Sequence, residues 1–272
     1  MINLNGQIVS ESEKIFNANN RALKYGDALF ETVKVENLNI QYLEDHYFRL
    51  MASMRMLRME IPMNFTMEFF ENELQKTVEA NDLKSARLRI TVFRKDGGFY
   101  NPATNQIDFV IEASVLKNEI KENYTLDLFK DYFIYSGLLS TVKTTNKLTN
   151  VLASIYASEN NLDNCILLNE KKHVVEAING NVFLVKGATI KTPSIGEGCV
   201  KGIVRKKIIE ILLKHKEYTI EETEISPFEI QKADEIFITN AIVGIQPVTS
   251  YRKSNFKTTI TQEIAEALKI LI

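Results

Sequence analysis

Ser140-Thr-Val-Lys143-Thr-Thr-Asn146-Lys147-Leu148-Thr-Asn150 is the stretch around which the rest of the chain is organised. Lys143 ends an extended, partly apolar run, and Leu148, Val151, Leu152, Ile155 and Tyr156 then recur at helical spacing. An amine attacks an aldehyde only when deprotonated, a state favoured by burial or by a neighbouring cation. Lys143 is therefore the candidate nucleophile, although a lysine in a strand-end loop, taken alone, reads far more readily as a solvated charge. Its weight comes from the stretches on either side.

Upstream, Met1 to Val9 alternates around Asn5-Gly6, which predicts a short hairpin. Arg21-Ala-Leu-Lys-Tyr-Gly26-Asp27-Ala-Leu-Phe30-Glu31-Thr32 runs into Val33-Lys34-Val35 and reads as a turn entering a strand. From Tyr42 to Met59, Leu43, Tyr47, Leu50, Met54 and Leu57 define a helix that sets His46 beside Arg49 at i and i+3. An arginine fixed there can fork two hydrogen bonds to a phosphate, or pair with Glu44 or Asp45 on the surface. Thr66 to Ala80 is a second helix. Arg87 to Arg94 alternates, with Leu88, Ile90 and Val92 on one face and Arg87, Arg89 and Thr91 on the other. Two or three arginines on one strand face are either a solvated face or a receptor for a substrate carboxylate. A Gly97-Gly98 loop leads to the apolar strand Ile107 to Val115.

The composition is 45% hydrophobic and 25% charged with a net charge of -2, as expected of a globular protein and against a bulk nucleic-acid binder. A chain of 272 residues suits two compact units. The polar run Lys117 to Asn123 marks the boundary: an N-terminal domain over 1–117, a linker over 118–123 and a C-terminal domain over 124–272 carrying Lys143. Two cysteines, Cys165 and Cys199, without ligand spacing suggest a reducing compartment and no zinc site. The start lacks a signal-peptide pattern and no apolar run approaches the roughly 20 residues that span a bilayer, so the cytoplasm is expected, with neither nucleic acid nor membrane as partner.

Downstream, Tyr124 to Tyr135 reads as strand, and Asp163 to Glu176 as two strands around a charged turn. Glu176, at a strand end before Ala-Ile-Asn-Gly180-Asn181, reads as a surface charge or as a carboxylate able to keep a pyridine nitrogen protonated. Lys201-Gly202-Ile203-Val204-Arg205 opens a helix running through Leu213, and a helix entrance with glycine suits a phosphate. Ser226-Pro227 opens a short helix, Asp234 to Ala241 is a strand ending in Thr239-Asn240-Ala241, and Thr261 to Ile272 is an amphipathic helix with Ile264, Leu268 and Leu271 on its apolar side.

In this order the stretches R-A-L-K-Y-G-D-A-L-F-E-T, H-Y-F-R-L, K-T-T-N-K-L, E-A-I-N-G-N-V-F, K-G-I-V-R and D-E-I-F-I-T-N-A resemble those of the class IV aminotransferases, the fold-type IV pyridoxal phosphate enzymes. The resemblance covers nearly the whole chain. It implies an α+β protein of two α/β domains, as in D-amino-acid aminotransferases, with pyridoxal 5'-phosphate between them and a homodimeric assembly. It further implies Lys143 as the Schiff-base lysine, Glu176 as partner of the pyridine nitrogen and Arg49 as phosphate ligand. Backbone groups of Ile203 and Val204, with Asn240 and Ala241, would complete the phosphate site.

Within the family the likeness leans toward the aminodeoxychorismate lyases, through Phe30-Glu31-Thr32, Asn146-Lys147-Leu148 and Asn240-Ala241. The Gly-Gly-Asn-Tyr and Thr-Gly-Thr-Ala sequences usual in branched-chain aminotransferases are absent, while Val33-Lys34-Val35 is similar to D-amino-acid aminotransferases. The lyases commonly carry arginine at the positions of Lys34 and Lys147, and those two residues join Arg89 and Arg94 as candidates for binding a carboxylate-bearing amine or amino acid.

Overall fold

Asn5 and Gly6 both adopt positive φ, 50° and 88°, the turn geometry that closes a two-residue hairpin between β1 (Ile2–Leu4) and β2 (Gln7–Val9). The computed structural model describes residues 1–270; Leu271 and Ile272, expected at the end of the last helix, lie outside the described residues. The chain divides into one unit of residues 1–117 with 143–146, and a second of 118–142 with 147–270.

In the first unit the elements are α1 (Arg21–Tyr25), β3 (Ala28–Glu36), β4 (Asn39–Ile40), α2 (Leu43–Met56), α3 (Met67–Ala80), β5 (Ala86–Arg94) and β6 (Ile107–Val115). The strands form one six-stranded sheet in the order β2-β1-β6-β5-β3-β4. The two-residue side-chain period of β3 and β5 separates two faces. Val33, Val35, Leu88, Ile90 and Val92 are buried on the face covered by α2 and α3, which bring Leu50, Met54, Phe70 and Leu74 to the core. Truncating one such side chain to alanine costs about 2–5 kcal/mol. Glu31 lies on this same buried face, whereas Phe30, Thr32, Lys34, Arg87 and Arg89 occupy the other. Thr66 starts α3 by accepting the Phe69 N–H on its hydroxyl.

The second unit comprises β7 (Thr125–Leu128), α4 (Leu148–Glu159), β8 (Asn164–Leu168), β9 (Val174–Ala177), β10 (Asn181–Lys186), β11 (Thr189–Pro193), α5 (Ile203–Leu212), β12 (Thr219–Thr223), α6 (Pro227–Ile230), β13 (Glu235–Asn240), β14 (Gly244–Val248), β15 (Ser250–Tyr251), β16 (Ser254–Asn255) and α7 (Thr259–Lys269). Two five-stranded sheets result, β12-β11-β10-β13-β14 and β16-β15-β7-β8-β9. One apolar cluster draws Leu126, Ile166 and Val174 from one sheet and Val182, Ile236 and Val248 from the other. On the opposite face of the first of these sheets, register partners Phe183 and Phe237 stack with centroids 4.8 Å apart, beneath α5 and α7. No helix among the described residues is long and apolar enough to cross a membrane.

Three departures from the sequence-based expectations have physical causes. The strand expected over Tyr124 to Tyr135 stops at Leu128; beyond it the Phe129 and Ile134 N–H groups still reach the carbonyls of Ile166 and Leu168, but the polar Lys130-Asp131 step breaks the ladder. Residues 118–123 belong to the second unit, where Lys121 exchanges backbone hydrogen bonds with the Gln246 side chain. Lys143 to Asn146 belongs to the first unit because its backbone pairs with β3.

Candidate active site

Lys143 is set by backbone pairing. The Phe30 N–H donates to the Lys143 carbonyl at 2.9 Å and the Thr145 N–H to the Ala28 carbonyl at 3.0 Å, so residues 143–145 lie against the start of β3. Lys143 Nζ stands 4.4 Å from the centroid of the Phe30 ring. The guanidinium carbon of Arg89 lies 3.8 Å from that centroid. One aromatic ring thus serves two cations.

Behind β3, Glu31 is 1% exposed and carries a charge that burial alone would not tolerate. Arg49 meets it with both arms of the guanidinium: Nε donates to Oε1 at 2.8 Å and Nη2 to Oε2. His46, fully buried on α2, places Nδ1 2.8 Å from Oε2, while its Nε2 has no partner. Burial pushes the Glu31 carboxyl up, but the Arg49 charge and the His46 and Arg49 hydrogen bonds outweigh it and hold the pKa at about 2. For His46, burial outweighs the Glu31 contact and lowers the pKa, and the Arg49 and Lys143 charges push the same way. A neutral imidazole donating through Nδ1 to an ionised Glu31 satisfies both groups.

The helical spacing that set His46 beside Arg49 is present, but Arg49 spends its fork on Glu31 instead of on Glu44 or Asp45. Arg89 is half-buried on β5, opposite Thr32 on one side and Glu112 on the other. Its pKa is lowered by burial and by Arg87, against Glu112. Lys34 is the register partner of Arg87 and pairs with Glu36 at 3.1 Å. Arg94 differs from the substrate-binding role expected of it. It is 6% exposed and donates to Asp27, to Asn105 and to the carbonyls of Leu57 and Arg58, so it braces the fold. Asp27, read from the sequence as a turn residue, takes both Arg94 Nε and Arg21 Nε on one oxygen at 2.9 Å.

In the second unit, Glu176 is 6% exposed at the end of β9, and its Oε2 accepts the Val200 N–H at 2.9 Å. The Val200 carbonyl accepts from the Asn181 side chain at 2.9 Å and from the Gly202 N–H at 2.8 Å. These bonds fix the segment that leads into α5, whose N-cap is Gly202 with no side-chain cap. A Cβ on Gly202 would stand 1.9 Å from Asn181 Oδ1, so a larger residue there would have to displace the buried Asn181 amide from the Val200 carbonyl. Asn181 is also the register partner of Thr239, whose buried hydroxyl has no partner. Asn240 caps the next turn, its Oδ1 accepting from the Ile242 and Val243 N–H groups at 3.0 and 2.9 Å. An uncapped helix entrance beside an orphan hydroxyl and a buried carboxylate fits a phosphorylated, protonatable ring cofactor. Lys147 is the half-buried residue preceding α4 in this unit.

Sequence reasoning passed over Glu31 and His46 as functional groups, and over Asn181. The signal for Glu31 was an acidic residue in an otherwise apolar strand face. Elsewhere in the second unit His173, Glu197 and Glu224 bring possible metal-ligand atoms within 4.8 Å of one another, and His173 Nδ1 already contacts Glu197 at 2.9 Å.

The amino-transferase class IV family profile matches residues 28–251. The chain belongs to that family and is a pyridoxal phosphate-dependent enzyme of fold type IV. It is 29% identical to a putative branched-chain-amino-acid aminotransferase of Methanocaldococcus jannaschii, over 91% of this chain and 86% of the relative. It is 24% identical to the aminodeoxychorismate lyase of Vibrio harveyi, over 84% of each chain. The branched-chain aminotransferase of Thermoproteus uzoniensis, solved with norvaline, shares the fold with a TM-score of 0.88 at 24% identity, covering 98% of this chain and 93% of that one.

Proposed function

We propose that this protein is a pyridoxal phosphate-dependent 4-amino-4-deoxychorismate lyase, which releases pyruvate and 4-aminobenzoate, a precursor of folate. The observation that carries the reading is the charge on the outer face of the first sheet. Register pairs Lys34 with Arg87 and Thr32 with Arg89, so three cations share the face that bears Phe30, next to Lys143. Such a face suits a ring substrate with two carboxylates better than a small amino acid with one carboxylate and an apolar side chain. The Vibrio harveyi relative supports the same reading.

When bound, the cofactor acts as an electron sink for the carbon next to the substrate nitrogen. In this reading the Lys143 amine would hold the cofactor, and its Nζ would accept the proton from the substrate ring carbon. Glu176, fixed by Val200, would keep the pyridine nitrogen protonated. Ile203 and Val204 at the start of α5, with Asn240 and Ala241, hold the phosphate together with Arg49. Lys34, Arg89 and Lys147 bind substrate carboxylates. The working form is a cytoplasmic homodimer, a reading supported by the exposed Leu138, Leu139, Leu148, Val151 and Ile155 of the second unit.

The Methanocaldococcus jannaschii relative favours a second reading, transfer of the amino group to 2-oxoglutarate from a branched-chain or D-amino acid. Purified protein incubated with aminodeoxychorismate and no keto acid separates the two. Equal amounts of pyruvate and 4-aminobenzoate are expected. Amino transfer to 2-oxoglutarate with no product from aminodeoxychorismate would replace the lyase by the aminotransferase.

A further inference from the structure

Three segments of the second unit converge on His173. The turn between β8 and β9 is closed by the Lys172 N–H donating to the Asn169 carbonyl at 2.8 Å and the Asn169 N–H to the His173 carbonyl at 3.0 Å. The Val174 N–H donates to the Ile225 carbonyl at 2.9 Å, which sets Glu224, just beyond β12, beside His173. The Ser194 N–H donates to the Thr223 carbonyl at 3.0 Å, which brings the short turn Ile195–Glu197 to the same place. Backbone pairing thus gathers one imidazole and two carboxylates from positions far apart in sequence, with a ligand atom of each inside 4.8 Å.

Two features of Glu197 point to a cation. Its side chain is buried, yet no lysine or arginine pairs with it among the described residues; its partners are the Asn169 amide and His173. A buried carboxylate without a permanent counter-charge is costly. Both contacts also fall on Oε2, so Oε1 has no partner among the described residues. Asn169 holds the arrangement in place: its Nδ2 donates to the Glu197 carbonyl at 3.2 Å and to Oε2 at 2.7 Å, while its Oδ1 accepts the His173 N–H at 2.9 Å. One amide that fixes both an imidazole and a carboxylate is the kind of support that metal ligands receive.

The spacing fits as well. His173 Nδ1 lies 2.9 Å from Glu197 Oε2 and 3.8 Å from Glu224 Oε2. Ligand atoms held at about 2.0–2.2 Å by a zinc ion stand roughly 3–4 Å from one another, and the exposed Glu224 side chain is free to close what remains. Imidazole mixed with carboxylate suits zinc and its transition-metal neighbours, whereas calcium and magnesium take oxygen ligands.

We propose that His173, Glu197 and Glu224 form a structural site for a divalent transition-metal ion, with zinc as its ion. The ion replaces the proton that Nδ1 shares with Glu197, and that proton passes to solvent. It ties the β8–β9 turn and the end of β12 to the segment that runs from Glu197 through Val200 to Gly202 at the entrance of α5. Cysteine spacing could not announce such a site, because its ligands are a histidine and two glutamates.

The test is calorimetric titration of zinc chloride into the full-length protein in a buffer that does not chelate metal. One ion per chain is expected, with affinity falling at least about tenfold in His173→Gln and in Glu224→Gln. Glu224 is exposed, so its substitution leaves the fold intact. His215→Gln, which removes the chain's exposed histidine, should bind zinc as the parent does. Magnesium and calcium should not displace the ion. Zinc should raise the thermal midpoint of the parent and leave that of Glu224→Gln in place. X-ray absorption of the zinc complex should show one imidazole among oxygen ligands and no sulfur. No binding by the parent, equal affinity in the parent and both ligand variants, or sulfur in the coordination shell would overturn the proposal.

Discussion

Both oxygens of the buried Glu31 carboxylate are taken by the Arg49 guanidinium, Nε to Oε1 at 2.8 Å and Nη2 to Oε2, while His46 Nδ1 adds a third contact at 2.8 Å. This pair joins β3 to α2 across the interior of the first unit and fixes the orientation of the arginine assigned to the phosphate.

Removing one partner should therefore cost stability before it costs chemistry. Glu31→Gln leaves a partly buried guanidinium short of its counter-charge, and breaking a fully buried pair typically costs about 3–5 kcal/mol, an upper bound here. Urea denaturation of the parent, Glu31→Gln, Arg49→Gln and the double variant should give a double variant less destabilised than the two single losses combined. Additive losses would mean the pair is not coupled.

The same network makes stability fall in acid. His46 has a pKa below the ordinary 6.5, so the unfolded chain takes up that proton first and stability declines as pH drops below about 6.5. The Glu31 carboxyl, at about 2 in the fold against an ordinary 4.5, gives stability that is complete above pH 4.5 and is lost as pH falls toward 2, on the order of 3 kcal/mol in all. Urea midpoints across pH should show both limbs. His46→Asn should flatten the upper limb and Glu31→Gln the lower; a profile unchanged by either substitution would assign acid lability to other groups.

How much of this was legible in the sequence depends on whether the interaction is local. The i, i+3 spacing of His46 and Arg49, the alternation of Arg87 to Arg94 and the Asn5-Gly6 hairpin are local patterns, and each formed the element it predicts. Glu31 escaped because its partners come from a helix whose docking onto the sheet no local pattern encodes. Arg94 continues no polar face: β5 ends there, and the chain around it, Leu57, Arg58 and Asn105, closes over the guanidinium. Lys143 was visible as a motif, but its pairing with β3 across more than a hundred residues was not.

The cradle in the second unit predicts a steric effect with a specific rescue. Gly202→Ala brings a Cβ within 1.9 Å of Asn181 Oδ1, and such overpacking costs about 1–3 kcal/mol. Cofactor affinity, measured by fluorescence titration of the apoprotein, should weaken with it. Asn181→Ala in the same chain should recover part of the stability even though the Val200 carbonyl loses its Asn181 donor. No recovery would show that Gly202 is required for a reason other than Asn181.

Glu176→Gln should separate binding from turnover. The amide oxygen can still accept from Val200, so the segment leading to α5 stays in place and most of the cofactor is retained. An amide cannot keep the pyridine nitrogen protonated, and turnover should fall by more than tenfold. Turnover at the parent rate with cofactor retained would make Glu176 a structural anchor only.

The assignment of Lys143 is tested most directly by borohydride reduction of the protein loaded with pyridoxal 5'-phosphate, followed by mass spectrometry of a digest. One phosphopyridoxyl group on Lys143 is the predicted result, with none on Lys143→Ala. A label on another lysine, or no label after incubation with the cofactor, would contradict it.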